Sequence, residues 1–137
     1  MAPKILMASS AGVVFLLGVI HLIYTFSGSG LLPRDPGLLA TLNQTHLSIT
    51  KETTVLRAWT GFNASHGLAL VLFGLIFGFL ALRHNELLFG SVYLLAVGFT
   101  MLVGFCVLSK LYWFSVPFIS LIVSLICYVT SIVAARA

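Results

Sequence analysis

Arg57-Ala-Trp-Thr-Gly-Phe-Asn-Ala-Ser-His-Gly67 runs without a break into Leu-Ala-Leu-Val-Leu-Phe-Gly-Leu-Ile-Phe-Gly-Phe-Leu-Ala-Leu82. From Leu68 to Leu82 there is no charge and no proline. A bilayer asks for about 20 predominantly apolar residues in a helical span, and this stretch supplies them. Its head carries Asn63 and His66, three apart and therefore on one helix face. By threes and fours that face continues through Gly67, Leu70, Gly74, Phe77 and Gly78. Amides and imidazoles are costly against hydrocarbon, and glycines let backbones approach. Such a face turns toward neighbouring helices.

Composition fixes the class. The chain has 137 residues, 60% hydrophobic and 7% charged, with a mean hydropathy of +1.14. Soluble domains carry about 25% charged residues, so this chain cannot cover itself with polar groups in water. It reads as an integral membrane protein with room for one domain. The net charge of +4 comes from Lys and Arg scattered near span ends, without a basic cluster. They read as interfacial anchors, and nucleic acid is not an expected partner. Cys106 and Cys127 are the only cysteines and form no metal-type spacing. Helical rise puts them about 10 Å apart in depth, too far for a disulfide within the chain.

Outward from the central stretch, four spans are predicted, at about 5–26, 58–82, 87–109 and 117–134. The expected fold is all-α: a transmembrane four-helix bundle with a long, partly helical first loop, forming a single domain over 1–137. Lys4 before the first apolar run could suggest a signal peptide, but the run is too long and lacks a cleavage pattern. Ser27-Gly-Ser-Gly30, Pro33 and Pro36 break the helix after span one. A short surface helix is expected from Gly37 to Ile49, with Leu38, Leu39, Leu42, His46 and Ile49 on one face. The connector Arg83-His-Asn-Glu86 is tight, and His84 there reads as solvated. Lys110-Leu-Tyr-Trp-Phe114 carries aromatics of the kind that settle among headgroups. Four spans put both termini on one side. The Lys/Arg balance, three against four, does not orient them; short bacterial bundles favour cytoplasmic termini.

His21 lies roughly 8 Å in from the end of span one, and His66 roughly 10–13 Å in from the start of span two. The long loop joins those two ends, so both imidazoles share a side and a depth. Thr100, Ser120 and Ser124 fall in the same half of their spans. The candidate ligand pocket is therefore His21, Tyr24, Thr25, Arg57, Trp59, Asn63, His66, Thr100, Ser120 and Ser124. Three readings compete. The polar groups tie helices together in an accessory or structural subunit. They hold haem between two histidines, although carboxylate and thiol ligands for a bare metal are missing at that depth. Or they bind or convert a small lipophilic molecule, with histidine as the group that titrates near neutrality. Arg57 and Trp59 read as interfacial anchors as well as pocket residues. Gly74 and Gly78 read as packing within the bundle. No nucleophile elbow, P-loop, Rossmann glycine pattern or His-Glu-x-x-His is present. No acid lies within a span, which argues against proton pumping. Whether the protein is an enzyme stays open. A homo-oligomer or a larger membrane complex is compatible with four short spans.

The runs His21-Leu-Ile-Tyr-Thr-Phe26, Leu32-Pro-Arg-Asp35, Ala58-Trp-Thr-Gly-Phe-Asn-Ala-Ser-His-Gly67 and Tyr112-Trp-Phe-Ser-Val-Pro-Phe118 resemble those of small bacterial four-span membrane proteins of uncharacterised activity. The resemblance covers most of the chain. It implies a multi-pass protein of the bacterial inner membrane and carries no substrate. The four-span glutathione-related membrane enzymes have arginine- and glutamate-rich helix ends without a counterpart here.

Overall fold

The computed structural model describes all residues from 1 to 137. The elements are α1 (Ala2–Ser27), α2 (Pro36–Gln44), β1 (His46–Leu47), β2 (Thr50–Thr54), α3 (Val55–Arg83), α4 (Asn85–Gly90), α5 (Val92–Tyr112) and α6 (Ser115–Arg136). The class is all-α, with one two-stranded antiparallel hairpin. Helices α1, α3, α5 and α6 are each long and apolar enough to cross a membrane. Only 22–33% of their most apolar windows is buried inside the protein. Leu16, Leu75, Ile76, Phe79, Ile119 and Ile126 instead point outward. Outward apolar side chains on every long helix require a lipid solvent.

The helix ends correct three expectations. The first-loop helix stops at Gln44, not Ile49. Thr45 then returns its amide and its hydroxyl to the Thr41 carbonyl, and the chain turns into the hairpin. Thr45, Ile49, Thr50, Thr53 and Thr54 are β-branched and lose side-chain freedom in a helix, which favours strand here. His46 is thus a strand residue whose Nδ1 lies 3.0 Å from the Thr53 carbonyl, bracing the hairpin. Span two starts at Val55, directly after β2. Span three is shorter than expected at its start: α4 is separate, and α5 begins only at Val92. Ser91 makes that break, since its hydroxyl accepts the Leu94 amide (3.2 Å) as an N-cap. At α6, Pro117 sits in the first turn, where its missing N–H costs nothing.

The chain forms two compact units, with α1 and α3 contributing to both. The first comprises Met1–Leu17 and Leu70–Ala137. Its core includes Met7, Ala11, Val14, Phe73, Phe77, Leu95, Leu102, Leu121 and Tyr128. Buried hydroxyls in this unit are paired. Ser10 and Ser124 meet at 2.8 Å, and Ser124 also donates to the Ser10 carbonyl (3.0 Å). Ser109 and Ser131 donate to the carbonyls of Cys106 and Tyr128. Such pairing is required where no water reaches. The second unit is Gly18–Ala69: the end of α1, the loop with α2 and the hairpin, and the start of α3.

Candidate functional site

The second unit holds the polar cluster. Gly67, buried on α3, is where α1 comes close: a Cβ there would stand 2.8 Å from Leu22 Cδ2 and 3.2 Å from His21 Cδ2. The missing side chain lets the two helices approach at His21. One residue before Gly67, His66 meets His21 edge to face. Their ring centroids are 5.1 Å apart and their planes are inclined at 71°.

Asn63, one turn before Gly67, is 1% exposed. Its Nδ2 donates to the Trp59 carbonyl (2.8 Å). Its Oδ1 is buried, and its side chain interacts with that of His21. Trp59 extends the cluster into the loop, where its indole N–H donates to the Leu31 carbonyl (2.9 Å). Thr25 donates to the His21 carbonyl (2.7 Å), so its hydroxyl proton serves its own helix. Tyr24 is half exposed, its ring lying against the Gly28–Gly30 turn. Arg57 is exposed in the first turn of α3.

The remaining candidates lie in the first unit. Thr100 is exposed on α5, whose buried face runs through Leu95, Gly98, Leu102 and Cys106. Ser120 is half-buried, and Ser124 is engaged with Ser10. Cys106 and Cys127 are free thiols. His84, in the connector, packs against Phe79 at 5.1 Å.

The cluster offers two imidazoles and an amide, without a carboxylate or thiol. No three His, Cys, Asp or Glu side chains gather to hold a metal ion. Within this cluster only His21 and His66 could ligate a haem iron, which would supply redox chemistry there. The rings touch edge to face at 5.1 Å and must separate before a porphyrin could enter. What the arrangement can do as it stands is hydrogen-bond, and pass a proton through histidine.

Four helices long and apolar enough to cross a membrane define an integral, multi-pass membrane protein. No family model, curated protein or solved structure matches the chain.

Two residues that matter here gave little sign in the sequence. Leu31 enters through its backbone, which no side-chain pattern announces. Gly67 was marked only by lying on the Asn63–His66 face.

Proposed function

We propose that this is a bacterial inner-membrane protein in which His21, Asn63 and His66 recognise a small lipophilic molecule within the membrane, near the loop. The observation that supports this is the edge contact of His21 with His66 at 5.1 Å, beside a buried amide. Ligand sites are mostly apolar, with a few convergent polar groups that fix orientation. Two imidazoles and an amide suit a ligand carrying carbonyl or hydroxyl groups, since each can donate or accept. If the bound molecule is converted, histidine is the group to move the proton. Trp59 and Tyr24 would flank the entrance, and Arg57 would meet any anionic end of the ligand. Thr100, Ser120 and Ser124 are not needed for recognition on this reading.

A second reading treats the same residues as interhelical ties in an accessory subunit. The close approach at Gly67 favours it, because tight packing is what such ties stabilise.

Mass spectrometry of organic extracts from the purified chain separates the two. Under the first reading the wild type carries a lipophilic compound near stoichiometry. His21→Ala and His66→Ala each lower it at least about fivefold, as expected when a hydrogen-bond partner worth about 1–3 kcal/mol is removed. Under the second, thermal stability falls and no compound is lost. Unchanged extracts with unchanged stability would remove both.

A further inference from the structure

The end of α5 and the start of α6, both in the first unit, enclose a small open cleft. It measures about 260 Å³ and is lined by Cys106, Val107, Lys110, Leu111 and Phe118. Small-molecule sites run to about 300–1,000 Å³, so this cleft suits part of a chain better than a whole compact ligand. Its walls are the apolar side chains, the thiol and the lysine stem. At its rim the Lys110 ammonium stands 5.2 Å from the centroid of the Phe118 ring. A cation over an aromatic face is held in place by the ring quadrupole.

Depth gives the cleft a direction. Tyr112 and Phe114 are exposed at this end of the spans, as residues of the headgroup layer are. Lys110 is therefore near the interface, and Cys106 lies one turn, about 6 Å, further into the membrane. The chain's acids are Asp35, Glu52 and Glu86, none of them on α5 or α6. A fixed positive charge above an apolar furrow matches a molecule with a negative head and a hydrocarbon tail.

We propose that this cleft is a binding site for an anionic phospholipid, its phosphate on Lys110 and an acyl segment along Val107 and Phe118. Lys110 has a second use, since a lysine in the last turn also offsets the helix dipole. That use requires neither the cleft nor the ring beneath the charge.

The test is native mass spectrometry of the full chain in detergent, titrated with phosphatidylglycerol or phosphatidylcholine of matched acyl chains. One lysine near a membrane surface contributes about 1 kcal/mol toward anionic lipid, or about fivefold in affinity. Phosphatidylglycerol is thus expected to be retained about fivefold better than phosphatidylcholine. Lys110→Gln should abolish that preference and Lys110→Arg should keep it. Val107→Trp fills the cleft without touching charge, and should lower phosphatidylglycerol retention as well. Thermal unfolding of each variant checks that it is folded. Equal retention of the two lipids by the wild type, or an undiminished preference in Lys110→Gln, would overturn the proposal. Undiminished retention in Val107→Trp would do the same, since it would leave only loose surface attraction.

Discussion

Gly74→Ala lowers the stability of the detergent-solubilised protein, and Gly74→Leu lowers it further. A Cβ at position 74 would stand 2.5 Å from Phe15 Cβ, 2.8 Å from the Ala11 carbonyl oxygen and 2.9 Å from Phe15 Cα. Two of those three atoms are backbone, so no rotamer change relieves the clash and α1 must move away from α3. Overpacking of this kind costs about 1–3 kcal/mol. The alanine recovers about 0.8–1.0 kcal/mol through its better helix propensity. The net expectation is a loss of up to about 2 kcal/mol for alanine and more for leucine. Gly12 and Gly104 are the controls: a Cβ at either meets nothing within 4 Å. Alanine there should be neutral or stabilising. Gly78, four residues along, would only touch Ala11 Cβ at 3.7 Å, so it should tolerate alanine. Equilibrium unfolding of the four alanine variants reads the whole series.

Tyr128→Ala is expected to cost about 3–5 kcal/mol, the range for deleting a buried aromatic ring. Tyr128 is fully buried on α6. Its ring lies 6.0 Å from that of Phe77, edge on, and its hydroxyl fits over Gly98 and donates to the Leu95 carbonyl (2.9 Å). Tyr128→Phe separates packing from hydrogen bonding. Hydrogen bonds between membrane helices average about 0.6 kcal/mol, so phenylalanine should retain most of the stability. The same unfolding measurement decides it. Losses of equal size in the two variants would mean that the hydroxyl, not the ring, carries the contact.

The sequence made some of this legible and hid the rest for physical reasons. The four spans were readable because long apolar runs have only one stable use. The approach of His21 to His66 could be anticipated by counting depth, because one loop joins the two span ends. The hairpin was missed because a nine-residue helix and the strand after it share one weakly amphipathic pattern, which breaks only at Thr45. The separate α4 was missed because Leu87-Leu-Phe89 continues the apolar run, and only Gly90-Ser91 marks the break. Thr100 shows a further limit. On α5 nearly every side chain is apolar, so sequence gives no phase for the buried face. In lipid, hydrophobicity no longer separates inside from outside. The packing face is instead marked by small residues such as Gly98 and by the hydroxyls that find partners, Ser10 and Ser124.

The proposed function rests on the contact between the His21 imidazole of α1 and the His66 imidazole of α3. Solid-state NMR on histidine-labelled protein in bilayers reads this directly. The structure predicts cross-peaks between the His21 and His66 ring carbons, lost in His21→Ala and in His66→Ala alike. Rings that instead show contacts to lipid acyl protons, and none to each other, would contradict it.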